Sequence, residues 1–128
     1  MLYNSIKLIT RYRRMVCFMA AVIFIISGFI LKKFPPKKIN GIIGYRSALS
    51  MKNQETWDAA QQYGGFTMIL FGIIHAVFGA WSYLHPMNVN NETAQLLFLI
   101  LSTVLMIVID EVHLRKLFNR DGTRKDTF

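Results

Sequence analysis

Three long apolar runs, each bounded by charged or polar blocks, dominate the pattern along this chain. Residues 15–31 contain no charge, residues 66–84 contain none, and residues 94–109 contain none, with apolar character continuing past that point. Charges gather instead in residues 1–14, 32–58 and 111–125. A soluble core mixes apolar and polar positions along amphipathic elements, whereas a bilayer demands segregation, because a charge at mid-depth costs at least roughly 2.5–3.5 kcal/mol. The pattern predicts an all-α membrane bundle with spans at about 15–31, 66–84 and 94–112 in a single domain, 1–128.

The first run is the shortest. Seventeen residues at about 1.5 Å each cover roughly 25 Å of a hydrocarbon layer about 30 Å thick, and Arg13 and Arg14 can snorkel to let the helix start earlier. Lys7, Arg11, Arg13 and Arg14 resemble the basic region of a secretory signal. The apolar run is longer than such signals use, however, and Lys32, Lys33 and Pro35 follow it where small residues would mark cleavage. An uncleaved helix is expected. The second run ends in Trp81 and Tyr83, aromatics suited to the headgroup level, and His85-Pro86 stops it. Asn90, Asn91 and Thr93 are candidate caps for the third. The polar link 85–93 is short, so spans two and three form an antiparallel hairpin. Apolar residues surround the third helix on every side, and periodicity does not reveal its packed face.

Residues 39–65, INGIIGYRSALSMKNQETWDAAQQYGG, form an unusual connector. Ser50 or Asn53 supplies an N-cap, and Glu55 sits well near the positive end of a helix. A short interfacial helix over 51–63 follows, with Gly64 able to end it at positive φ. Trp57, Ala60, Gln61 and Gly64 share one face at helical spacing, facing headgroups or the bundle, while Lys52, Asp58 and Gln62 are wetter. Ahead of that helix, Asn40, Gly41, Gly44, Tyr45 and Arg46 make a turn-like segment. Arg46 offers five donors in a fork that fits a phosphate or carboxylate. One reading makes it a binding site for a lipid headgroup, peptide terminus or partner carboxylate. The other makes Arg46 an anchor to lipid phosphate or a helix cap.

Composition and charge sharpen the picture. More than half of the 128 residues are apolar, yet the net charge is +8. Basic residues flanking spans are topology signals, and no aromatic–basic interleaving or groove-reading motif supports nucleic-acid binding. Four Lys and Arg precede the first span and none occupies 85–93, whereas the connector carries six and the tail five. The positive-inside rule then places connector and C-terminus in the cytoplasm and the N-terminus outside, although the first span, with four basic residues on each side, is locally balanced. The lone cysteine, Cys17, excludes an intramolecular disulfide and lies within an apolar run, where a thiol behaves as a small hydrophobe.

The connector closely resembles the motif of the SdpI family of bacterial membrane proteins, the SdpI-like immunity proteins. Asn40, Gly44, Tyr45, Arg46, Ser47, Ser50, Trp57 and Ala60 all fall on that pattern, which an apolar span directly follows. The resemblance implies a bacterial plasma-membrane protein giving immunity to a secreted antimicrobial peptide, and a receptor that holds a cytoplasmic regulator at the membrane. It also implies those eight residues as the partner- or ligand-binding motif. Two departures stand out. The best-known member is longer, with additional helices, and Ala48 and Leu49 replace a Pro and a basic residue that relatives carry.

The remaining chemistry is sparse. His75 sits in the middle of the second span, either as a functional ionisable group or as a hydrogen-bonding link to a Ser, Thr or carbonyl on a neighbouring helix. Asp110, Glu111 and His113 lie too close on one helix to converge on a metal, and no distant His or Cys completes a set. Gly72 and Gly79 are seven apart on one helix face and mark helix packing. No phosphate-binding loop, nucleophile elbow, zinc motif or catalytic carboxylate pair is present, so neither enzyme activity nor a cofactor is expected. The function classes are a peptide-sensing or immunity protein acting by sequestration, an oligomeric transporter or channel subunit using His75, and, least favoured, an enzyme acting on lipid-linked substrates.

Overall fold

A computed structural model describes residues 1–13, 15–84 and 92–126. Four helices follow one another: α1 (Leu2–Arg13), α2 (Val16–Lys33), α3 (Gln54–Leu84) and α4 (Glu92–Leu117). The last three are long and apolar enough to cross a membrane. Their 18, 31 and 26 residues correspond to roughly 27, 46 and 39 Å of helix. The helix α2 therefore matches a hydrocarbon layer of about 30 Å, whereas α3 and α4 overshoot it. Both overshoot at one end of the bundle, where the connector and the tail also lie: Asn53 Nδ2 donates to the Gly122 carbonyl at 2.8 Å, and Arg124 pairs with Glu55 at 2.8 Å.

Three features depart from the sequence pattern or extend it. First, the interfacial helix over 51–63 is not a separate element; it begins at Gln54 and runs without a break into the second span as α3. Gly64 does not end it, and the only glycines at positive φ are Gly44 and Gly122 among the described residues. Gly64 and Gly65 are instead contact points. A Cβ on Gly64 would lie 3.2 Å from Tyr45 Cβ, and one on Gly65 would lie 3.0 Å from the Gly28 carbonyl oxygen. A paired glycine that reads as a terminator here lets two neighbours approach the middle of one helix. Second, residues 2–13 form the helix α1, with Leu2, Ile6 and Ile9 on one face and Lys7 and Arg11 opposite. Charge density had hidden that amphipathic pattern. Third, α4 extends to Leu117, beyond the 94–112 span. The stop at His85-Pro86 and the caps Asn90 and Asn91 lie outside the described residues; Thr93 falls within α4.

Small residues set the contact between α2 and α3. Gly65, Gly72 and Gly79 recur every seven positions along α3. A Cβ on Gly72 would fall 3.0 Å from Ile25 N and 3.1 Å from the Ala21 oxygen, and one on Gly79 would meet the Phe18 ring at 3.3 Å. Lipid tails are as apolar as Leu, so helices in a bilayer gain little from hydrophobic contact and associate through close packing and hydrogen bonds. The helix pair α3–α4 uses the second device. Gln95 Nε2 donates to Ser82 Oγ at 2.8 Å, Ser102 Oγ lies 2.9 Å from His75 Nε2, and Thr67 Oγ1 donates to Asp110 Oδ1 at 2.7 Å. These pairs are separated by 13, 27 and 43 residues. Each step back along α3 is thus matched by an equal step forward along α4. A constant register of that kind defines an antiparallel pair, with a polar rung about every two turns. Gln95 Oε1 also accepts the Cys17 N–H at 3.1 Å, tying in the start of α2.

At the overshooting end the forces change. Leu49, Ala60, Leu114 and Phe118 bury one another, with Tyr45, Ala59 and Leu117 packed around them. Water reaches this level, so apolar burial drives the cluster. Along the spans the large hydrophobics are exposed, among them Val22 and Ile26 on α2, Ile73 and Val77 on α3, and Leu101 and Val104 on α4. That is the surface a lipid environment requires.

Candidate functional site

The connector that follows α2 is held by its own side chains. Asn40 Oδ1 accepts the N–H groups of Ile42 at 2.9 Å and Ile43 at 2.8 Å, closing a turn, and its Nδ2 donates to the Lys38 carbonyl at 3.0 Å. Gly44 then takes φ +105, and a Cβ there would drive into Gln61 Oε1. The buried Gln61 amide holds both backbone poles of Tyr45: Tyr45 N–H donates to Oε1 at 2.7 Å, and Nε2 donates to the Tyr45 carbonyl at 2.8 Å. Ser47 and Ser50 cap each other, each N–H donating to the other's Oγ at 2.7 and 3.1 Å. Asn53 and Thr56 repeat the arrangement at the start of α3, at 3.1 and 2.9 Å, which makes Asn53 the N-cap rather than Ser50.

Trp57 is fully buried and donates its indole N–H to the Pro36 carbonyl at 2.6 Å, so its face meets the bundle and not headgroups. Ala60 belongs to the apolar cluster. The structure thus gathers Gly44, Tyr45, Ser47, Ser50, Trp57 and Ala60 around the first turns of α3. Asn40 and Arg46 stand apart from them. Arg46 is exposed and donates to the Gly41 carbonyl within its own turn, leaving most of its guanidinium donors outward. The Tyr45 hydroxyl reaches Glu111 Oε2 at 3.3 Å. Burial, and then the negative charges of Glu111 and Asp110, push the Tyr45 phenol above its ordinary value, which keeps the donating proton in place.

His75 is fully buried between Phe24 and Phe98, whose rings meet it edge-on at 5.3 and 5.2 Å. Its Nδ1 lies 2.7 Å from the Phe71 carbonyl and its Nε2 faces Ser102. A carbonyl only accepts, so Nδ1 carries a proton, while Nε2 partners the Ser102 hydroxyl, which is also 3.1 Å from the Leu99 carbonyl. Both ring nitrogens are engaged, and His75 serves as an inter-helix link. Asp110, Glu111 and His113 diverge: Asp110 turns to Thr67, Glu111 to Tyr45 and Arg115, and His113 stacks on Tyr63 at 3.6 Å.

Where α2, α3, α4 and the connector meet, a half-open cleft of about 370 Å³ remains. Ile30, Phe34 and Ile43 form its exposed rim, and Leu31, Gly64 and Met106 are buried deeper. Ser27, Tyr45 and Asp110 are its polar members. Asp110 is only 2% exposed, and Thr67 gives the one hydrogen bond its carboxylate receives among the described residues. No salt bridge reaches it there. On the other side of the connector, a recess of about 500 Å³ is lined by Lys52, Arg115, Arg120 and Lys125, with Glu111 beside them.

Sequence reasoning missed Gln61's clamp, the rungs and Asp110's place in the cleft. The available signal was polar spacing inside the spans. Thr67, His75 and Ser82 recur at steps of eight and seven, and Gln95, Ser102 and Asp110 at the complementary steps of seven and eight.

This combination defines a small helical membrane protein whose connector, anchored by the buried Leu49 and Ser50, braces one end of three spans. The chain matches the SdpI/YfhL protein family over residues 37–109, from the connector through most of α4. It is 34% identical over 100 residues to the uncharacterized protein YfhL of Bacillus subtilis (strain 168), a match covering 78% of this chain and 86% of that protein. The chain belongs to the SdpI/YfhL family. No solved structure matches it.

Proposed function

We propose that this protein is an immunity- or sensing-type component of the bacterial plasma membrane that intercepts a membrane-active peptide and reports the event to a cytoplasmic regulator. The observation that carries this reading is the cleft. Its rim of Ile30, Phe34 and Ile43 is exposed where α2 ends, and one wall is the Gly44-Tyr45 segment of the motif. A peptide already dissolved in lipid reaches such a site laterally, and holding it there removes it from the pool that damages the bilayer. Chemistry is not required of the protein in this scheme, and binding alone protects. Because Gln61 locks Tyr45 to α3, an occupant pressing on that wall is felt at the connector, next to the basic recess. Connector and tail face the cytoplasm in this proposal, following their excess of Lys and Arg, with the N-terminus outside.

The test is survival. The full chain, expressed in a sensitive strain, should raise tolerance to at least one apolar peptide in a panel of antimicrobial peptides. Filling the cleft by Met68→Phe should abolish that tolerance at unchanged membrane abundance. Equal survival with and without the protein across the whole panel would count decisively against the reading.

A further inference from the structure

We propose that the cleft is a receptor for an alkylammonium group, with the Asp110 carboxylate as its counter-ion. This inference rests on the preceding reading of the cleft and names the chemistry of its occupant. Asp110 is buried at the foot of a cavity whose lining is otherwise almost entirely apolar, and the Thr67 hydroxyl is its single donor among the described residues. That hydroxyl is also 3.0 Å from the Gly64 carbonyl, so its one proton is shared between two acceptors. The second carboxylate oxygen is left with neither a hydrogen bond nor an ion pair among the described residues. The other rungs carry no carboxylate, and a neutral Asn would hold Thr67 equally well. When ionised, a carboxylate at such a position is stabilised by a cation, since an unpaired buried charge is strongly unfavourable.

Among the described residues no cation pairs with Asp110. Lys32 lies over the Phe66 ring at 5.6 Å and Lys33 over Phe29 at 5.6 Å, each turned to an exposed aromatic. The apolar walls select what brings the charge. A fully hydrated inorganic cation gains nothing from Leu31, Met68 and Met106, whereas an ammonium on an aliphatic stem places its chain against them and its head on Asp110. A volume of about 370 Å³ suits a lysine side chain or a peptide's amino-terminal residue, at the small end of ordinary ligand sites. The rim opens where Ile30 and Phe34 flank Lys32 and Lys33 and precede Lys37 and Lys38, basic residues suited to the headgroup level. An amphiphile anchored in the membrane keeps its amine at that depth.

The experiment uses the full chain in phosphatidylcholine nanodiscs and a dodecylamine bearing a fluorophore at the far end of its chain. Saturable binding is expected for the amine, and at least tenfold weaker binding for the matched alcohol. Asp110→Asn should weaken amine binding at least tenfold and leave the alcohol unchanged. Met68→Phe, which keeps the carboxylate, should exclude both probes; if the Asn variant does not fold, it fixes the place of binding and the amine–alcohol difference tests the charge. Amine and alcohol binding alike, or full amine affinity in either folded variant, would overturn the proposal. Displacement by phosphatidylethanolamine identifies a lipid as the natural source. Displacement by a lysine-bearing apolar peptide, but not by its acetylated form, identifies a peptide. Peptide tolerance that survives Asp110→Asn would sink this site while sparing the immunity reading; amine binding without any peptide tolerance would do the reverse.

Discussion

Gly41 and Gly44 stand three positions apart in the connector and answer to different constraints. Gly41 has open space where a Cβ would go, whereas Gly44 sits at φ +105 against Gln61. Gly44→Ala therefore combines left-handed strain, on the order of 1–3 kcal/mol, with displacement of the clamp on Tyr45. Gly41→Ala should stay within about 0.5 kcal/mol of the parent. Thermal unfolding in mild detergent separates the two, and equal losses would contradict the assigned role of Gln61. Tyr45 gives a second prediction at this scale. Its folded-state phenol is raised by burial and by Glu111 and Asp110, so the folded chain holds that proton more tightly than the unfolded one. The associated stability is present below the ordinary phenol range near 10 and is lost as pH rises through and beyond it. Absorbance titration should show one tyrosine resisting ionisation after the others, and Tyr45→Phe should remove that fraction and flatten the alkaline decline.

At the scale of elements, two pairings hold by different means and should fail differently. Gly72→Leu forces a side chain into the α2 backbone at Ile25 and Ala21, and a loss of at least about 1–3 kcal/mol is expected from overpacking. Ile73→Leu, one position on and exposed, should change little. The rungs are individually weak. A His75→Ala and Ser102→Ala double-mutant cycle should return a coupling of about 0.6 kcal/mol, and no more than about 1.7. Much of this level was readable in advance. Charge-free runs locate the spans because lipid excludes charges, and Gly72 and Gly79 announced a packing face. The continuity of α3 was not readable, because Gly64-Gly65 resembles a helix terminator in sequence and becomes a contact point only when Tyr45 and Gly28 arrive from elsewhere. Asp110 shared that fate: beside Glu111 and His113 it looks like an ordinary helix end, and only the register with Thr67 places it in a cleft. The eight motif residues could be found, but whether each binds or braces depends on partners distant in sequence, such as Gln61 and Pro36.

Over the whole molecule, close packing and polar rungs hold the lipid-level portion, and an apolar cluster holds the end beyond it. The two should respond oppositely to solvent. Urea weakens apolar burial where water has access, so it should loosen the Leu49–Phe118 cluster at concentrations that leave the helical signal of the spans intact. Trp57 fluorescence, in a Trp81→Phe background, would report the first event and circular dichroism the second; a single coincident transition would argue against this division. Sidedness belongs to this scale too. In a Cys17→Ser background, a cysteine introduced at Arg46 should resist an impermeant thiol reagent in intact cells and react once the membrane is opened.

The contacts of Gly122 with Asn53 and of Arg124 with Glu55 also have a consequence for biogenesis. The ribosome delivers the first partners of these pairs 69 residues before the second. Between those moments both α3 and α4 must enter the bilayer with opposite headings. Asn53 and Glu55 consequently wait, unlatched, until both helices have crossed, and a chain in which only one of the two has inserted leaves Arg124 across the membrane from Glu55 and never closes. Closure of these contacts therefore follows insertion of both helices and cannot precede it.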